Sequence, residues 1–234
     1  MGDFLSEIEQ PPDPGAISVY IPPGFTAPEL EDLLQKCGAH SVPDELSQIA
    51  SDSNNGAILF WGDTRKCLVL PPFPLSEKIT FGGYVTKPLR LLLNHDFMIG
   101  LVLVHLGSYA VGFCQGEKLI SSKVGTGLVH GRHKKGGSSQ QRFQRRRENQ
   151  VREFLDRVCL HTREHLEPYV RLIDYVVYGG PRQTALQLQK SCLFLQSLEC
   201  PVLPLLDVPS LRQRVLESTV SHIWSSCIIY WQEE

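Results

Sequence analysis

A mixed α/β fold is what this sequence predicts, and three observations carry that expectation. FMIGLVLVHLG, YAVGFCQG and EKLISSKVG follow one another, each short, rich in β-formers and punctuated by glycine, which reads as an antiparallel meander. Phe143, Val151, Phe154, Leu155, Val158 and Leu166 then fall on one stripe at 3.6-residue spacing, predicting a helix over 139–166. Beyond it, strand-like and helix-like runs alternate to the last residue, the pattern of a mixed sheet with helices packed on it.

Taken in order, residues 1–15 are acidic and proline-rich and are expected to be mobile. AISVYIPPG reads as a strand ending at Pro22 and Pro23, and TAPELEDLLQKCG as a helix with Thr26 at its N-cap and Gly38 just past its end. GAILFWG and KCLVLPP flank GDTR, a hairpin signal. PPFPLSEK, residues 71–78, reads as a linker, so a small N-terminal α+β region over 1–75 and a larger domain over 76–234 are expected. After the meander and the long helix, RLIDYVVYGG predicts a strand. Gly180 and Pro181 open a helix running to about Gln196, followed by a short strand at VLPLLD. SLRQRVLESTVSHIW is a last helix and SSCIIYWQEE a closing strand. The larger domain therefore reads β-β-β-α-β-α-β-α-β.

At 234 residues and 42% hydrophobic, the chain holds material for one large core or two modest ones. Its seven cysteines are scattered, odd in number and without a CxxC pair. They read as reduced core residues, not as a disulfide framework or a zinc site. The opening residues carry no signal-peptide core, and the longest apolar run is too short to span a bilayer. A cytoplasmic, monomeric protein with no membrane partner, cofactor or metal is expected. His161 and His165 are four residues apart on the long helix, but Thr162 stands where a zinc-protease motif needs glutamate, so they read as surface or half-buried side chains.

One stretch resists a structural explanation. GRHKKGGSSQQRFQRRRENQ, residues 131–150, gathers seven lysines and arginines, with no acidic residue between Glu117 and Glu148, in a chain of formal net charge -2. So concentrated a patch marks a site for an anion, and without an acid among them these cations cannot be salt-bridge decoration within the protein. Known phosphate loops fail by spacing. GTGLVHG has one residue too many for the dinucleotide fingerprint, and GRHKKGG has Gly137 where a P-loop requires lysine. GGSSQ has Gln140 where a nucleophile elbow requires its second glycine. What remains is a glycine-hinged cationic loop at the root of a basic helix, with Arg142, Arg145 and Arg146 on the face opposite the apolar stripe and Arg147 turned toward it. His130 and His133 lie within that loop and are candidates for RNA contact or acid–base work.

Gly137-Ser138-Ser139-Gln140, set within RHKKGGSSQQRFQRRRENQ and leading into a long helix, resembles the GxxQ loop of the Vms-type release-factor-like (VLRF) family. That family includes the ribosome-quality-control factors Vms and ANKZF and bacterial relatives. It is itself similar to the middle domain of the eukaryotic and archaeal translation termination factor, whose loop carries Gly-Gly-Gln. The resemblance covers roughly residues 76–234. The zinc-finger, ankyrin and ATPase-binding segments of eukaryotic members have no counterpart in this sequence, so a compact bacterial-type member is the better comparison.

The resemblance implies an RNase H-like or S11/L18-like fold and a loop, over about 125–141, that enters a large ribosomal subunit carrying an obstructed peptidyl-tRNA. It assigns Gly137 to the loop bend and Gln140 to the reactive-centre amide. Ser138, Ser139, Gln141 and His133 stand as catalytic support, with Gln141 a competitor for the role of Gln140. Arg132, Lys134, Lys135, Arg142, Arg145 and Arg146 would hold tRNA and ribosomal RNA phosphates. Two serines separate glycine from glutamine, so the backbone geometry of Gly-Gly-Gln does not transfer. The expected activity is peptidyl-tRNA hydrolysis, with water positioned by the glutamine. The alternatives are an endonuclease cutting the tRNA near its 3′ CCA end, with His130 or His133 acting on a ribose hydroxyl, and a non-catalytic RNA-binding adaptor.

Overall fold

The structure, a computed structural model, describes residues 2–9, 13–39, 42–129, 139–208, 211 and 213–232; for residues 2, 3, 139, 140, 213 and 214 it describes the backbone alone. The chain divides into two compact units, Met1–His95 with Ile223–Glu234, and Asp96–His222.

The first unit contains α1 (Gly2–Ile8), β1 (Ile17–Ile21), α2 (Ala27–Lys36), α3 (Asp44–Asp52), β2 (Ala57–Trp61), β3 (Lys66–Leu70), β4 (Ile79–Gly82) and α4 (Lys87–Leu93). Strands β1, β2 and β3 are buried on both faces, which is why the sequence runs there are almost wholly apolar. Val19, Ile21, Ala57, Leu59 and Leu68 pack against Leu30, Leu33 and Leu34 of α2 and Leu46 and Ala50 of α3. The alternate residues Tyr20, Ile58, Phe60, Cys67 and Val69 pack on the other face with Leu5 and Ile8 of α1 and Leu89 of α4. Thr26 caps α2 as its spacing predicts, with the Glu29 carboxylate accepting from both its backbone N–H and its hydroxyl.

Where the opening residues were expected to be mobile, α1 places two apolar side chains in that second core. Asp13 then closes a turn, accepting from the Thr64 N–H and hydroxyl at 3.0 Å. The predicted boundary at 75/76 falls between β3 and β4, inside one sheet, because β4 pairs antiparallel with β1. The proline-rich run is thus a connection between strands of a single unit.

The second unit opens with the predicted meander: β5 (Met98–His105), β6 (Ser108–Gln115) and β7 (Lys118–Thr126), antiparallel in sequence. Helix α5 (Ser139–Leu166) spans the predicted residues, and β8 (Tyr175–Gly179) then pairs parallel to β5. The sheet order is β7-β6-β5-β8, a mixed sheet as expected. Val102, Val104, Tyr109, Val111 and Phe113 form a core with Val151, Phe154, Leu155, Val158 and Leu166 of α5, joined by Ala185 and Leu188 of α6 (Arg182–Ser191) and Leu195 of α7 (Leu193–Gln196). Ile99, Leu101, Leu103, Ala110 and Cys114, which alternate with them, are also buried.

Four expectations need correction here. The single helix predicted to Gln196 is broken at Cys192, whose extended backbone separates α6 from α7. Cys192 is bonded to Cys159 of α5, so two of the seven cysteines form a disulfide; nothing in their separation of 33 residues signals it, because the pairing follows from helix packing. VLPLLD does not make a strand. It runs beside β8 with isolated parallel bridges at Val202 and Leu206; four residue steps on this segment span three on β8, so the register slips by one residue and no continuous ladder forms. Finally, after α8 (Gln213–Ile223) the closing strand β9 (Cys227–Tyr230) does not join the meander. It pairs antiparallel with β3, giving the first sheet the order β4-β1-β2-β3-β9.

Candidate nucleic-acid interface

Helix α5 is two things in succession. From Val151 onward its apolar stripe is buried on the sheet. Before that, no described side chain from Gln141 to Gln150 is buried, a run of about 15 Å at 1.5 Å per residue. Phe143, counted into the stripe by its spacing, is 56% exposed. The stripe outlasts the surface it could pack on.

This exposed arm carries four arginines against one glutamate. Arg142, Arg145 and Arg146 are exposed and Arg147 is half-buried, the division the helical spacing predicted. Glu148 accepts from the Gln144 amide at 2.9 Å. The N-terminal peptide N–H groups of a 28-residue helix add to the positive potential at its start. Ser139 and Gln140 are the first two residues of that helix by backbone conformation, and Gln141 follows as an exposed side chain. Arg132, His133, Lys134, Lys135, Gly137, Ser138 and His130 lie outside the described residues.

The approach to the basic segment is tightly built. Gly125, near the end of β7, pairs across the sheet with Tyr109. The Tyr109 ring lies 6.2 Å from that of Phe154, edge-on, and stacks on His161 at 5.6 Å. Gly127 donates its N–H to Gly107 O at 2.9 Å, and Arg157 Nη1 reaches Thr126 O at 3.5 Å. Val129 packs, half-buried, on the core of the second unit. Sequence reasoning weighed these glycines only as a nucleotide fingerprint and missed this use. The spacing of Phe154, Arg157 and His161, at i, i+3 and i+7 on one helix face, was the signal available.

His161 and His165 both engage protein partners: His161 Nδ1 lies 2.7 Å from Glu164 and His165 Nδ1 2.6 Å from the Ser121 hydroxyl. Among the described residues no group of three or more His, Cys, Asp or Glu side chains is placed to hold a metal ion. A cleft between α5 and α6 is lined by Arg147, Arg152, Glu148, Asp156, Gln183 and Gln187, among others, and so carries both signs of charge.

The second unit is therefore a mixed α/β domain whose long helix begins as a bare cationic arm directly after a basic segment. The chain belongs to the Actinobacteria/chloroflexi VLRF1 release factor family, whose match covers residues 98–228; the loop resemblance points to the same family. Peptide chain release factor subunit 1 of Aeropyrum pernix is 27% identical over 208 residues, covering 76% of this chain and 56% of that protein. Its counterpart in Archaeoglobus fulgidus is 24% identical over 234 residues, covering 87% and 58%. This chain thus spans little more than half the length of these curated relatives. Among solved structures, the archaeal translation termination factor aRF1 aligns with 95% of this chain and 71% of its own, at a TM-score of 0.41 and 18% identity. Archaeoglobus fulgidus Pelota aligns with 95% and 62%, at 0.30 and 11%.

Proposed function

We propose that this protein is a ribosome-associated peptidyl-tRNA hydrolase that frees nascent chains from stalled large subunits. The observation that carries the reading is the placement of Gln140 at the start of the exposed arginine arm, in a chain of the VLRF1 release factor family. Arg142, Arg145 and Arg146, with Arg132, Lys134 and Lys135, neutralise RNA phosphates and hold the arm against tRNA and ribosomal RNA. To Gly137 we assign the loop bend that the family resemblance implies.

Ester hydrolysis needs a placed water, a polarised carbonyl and a proton for the leaving 3′ oxygen. No carboxylate lies between Glu117 and Glu148 to act as a base. The Gln140 amide donates and accepts hydrogen bonds at once, and so orients water against the ester carbonyl. Ser138, Ser139, Gln141 and His133 serve as hydrogen-bonding support, and RNA hydroxyls relay the proton.

The test is incubation with large subunits bearing peptidyl-tRNA, followed by sizing of both products. Wild-type protein is expected to release the peptide and leave tRNA with an intact 3′ CCA end. Gln140→Ala is expected to abolish release while binding persists. Undiminished release by that variant would refute the assignment, and a shortened tRNA would replace hydrolysis by cleavage near the CCA end.

A further inference from the structure

Resting on that reading, we propose that Tyr109, Phe154 and Arg157 clamp the point where the basic segment leaves the sheet, and that they are positioning residues for release. At Gly125 and Gly127 the backbone lies too close to an aromatic ring to admit a side chain. A Cβ at Gly125 would collide with the Tyr109 phenol ring, and one at Gly127 would lie 2.6 Å from Phe154 Cδ2. The φ of neither glycine lies in the left-handed region, so space and not backbone conformation demands glycine here. Between them the Thr126 carbonyl accepts from Arg157, and Gly127 is pinned to Gly107. Strand end, turn and helix are thereby held at successive residues.

The clamp works at a distance. Phe154 is fourteen residues beyond Gln140 on the same helix, about 21 Å along its axis, so it does not reach an ester that Gln140 touches. It belongs, however, to the helix that carries Gln140. Both ends of the basic segment are thus referenced to α5: one enters through the clamp, and the other leaves as the first turn of the helix. The chain from Gly127 to Ser139 has a contour of at most about 43 Å, and about 22 Å of that is used in running back along α5 from Phe154 to the helix start. About half of that contour is slack, so a displacement at the root is carried toward Gln140 chiefly through Phe154 and the helix that the two residues share.

The experiment compares wild type, Gly127→Ala, Gly127→Ala with Phe154→Leu, and Arg157→Ala on peptidyl-tRNA-bearing large subunits, reading kcat and KM separately. A methyl at 127 is expected to lower kcat by about 10- to 100-fold, the cost of a misplacement near 1 Å, with KM unchanged because the arginine arm is intact. Trimming the opposing ring with Phe154→Leu is expected to restore kcat. Arg157→Ala alters an exposed side chain that the core does not need, and is expected to lower kcat about 2- to 5-fold, as for one weak hydrogen bond. Wild-type kcat in both Gly127→Ala and Arg157→Ala overturns the clamp. So does a loss in Gly127→Ala that raises KM equally and is not restored by Phe154→Leu. If wild-type protein itself frees no peptide, the release-factor reading fails first and takes the clamp with it, a result distinct from either of these.

Discussion

His165 Nδ1 faces the Ser121 hydroxyl across the packing of α5 on β7, and burial holds its pKa below the ordinary imidazole value. Glu164 opposes that shift, while His161 and Lys123 add to it. The sign follows from which state binds the proton first. Well above pH 6.5 the imidazole is neutral folded or unfolded and contributes no pH dependence. As the pH falls below 6.5 the unfolded chain takes up a proton that the folded chain still refuses, so stability declines until the folded pKa is passed. His165→Gln keeps a partner for Ser121 and removes the titration. Its urea midpoint is expected to fall less than that of wild type between about pH 7 and pH 5; parallel declines would place the acid sensitivity elsewhere. Two histidines on adjacent turns invite a metal or catalytic reading from sequence, and what settles their roles is the strand and the carboxylate each of them meets.

At the scale of elements, α5 was legible almost to the residue because a hydrophobic stripe at helical spacing persists through most of it. The periodicity could not say where its partner surface stops, and Phe143 fits the stripe yet stands exposed. The consequence is functional: the bare arm leaves Arg145 and Arg146 free of any packing duty. Arg145→Glu with Arg146→Glu is therefore expected to leave the thermal midpoint unchanged while weakening subunit binding. The slope of log K against log salt should become shallower by about two, one for each phosphate no longer neutralised. Weakened binding with an unchanged slope would mean that the two arginines do not neutralise phosphates. The glycines of GTG were less legible. Their meaning depends on Gly125 facing Tyr109 across a strand pair and on Phe154 meeting Gly127, and cross-strand register is not written in either segment alone. Equally hidden was the disulfide, since Cys159 and Cys192 meet only once α5 and the end of α6 share a core.

For the whole molecule, composition marked a boundary at the proline-rich run, whereas the first unit is discontinuous in sequence: the chain leaves it after His95 and returns at Ile223. SSCIIYWQEE was legible as a strand, but no local pattern announces the return, because which sheet it joins is decided by its pairing with β3. That strand is not ornamental. Ile229 and Trp231 pack on the core of one sheet face and Ile228 on that of the other, so one four-residue strand and the residue after it contribute to both cores of the first unit. Ending the chain after Ser226 removes those three side chains and leaves β3 as an open edge. The expected cost, for three partly buried apolar side chains, is roughly 2–4 kcal/mol. It should fall on one unit. In hydrogen exchange the amides of β1, β2 and β3 are expected to lose protection while those of β5, β6 and β8, whose sheet has no contribution from β9, keep theirs. Equal loss across both sheets would instead show that the two units unfold as one cooperative body, and the truncation would then be expected to abolish peptide release along with stability.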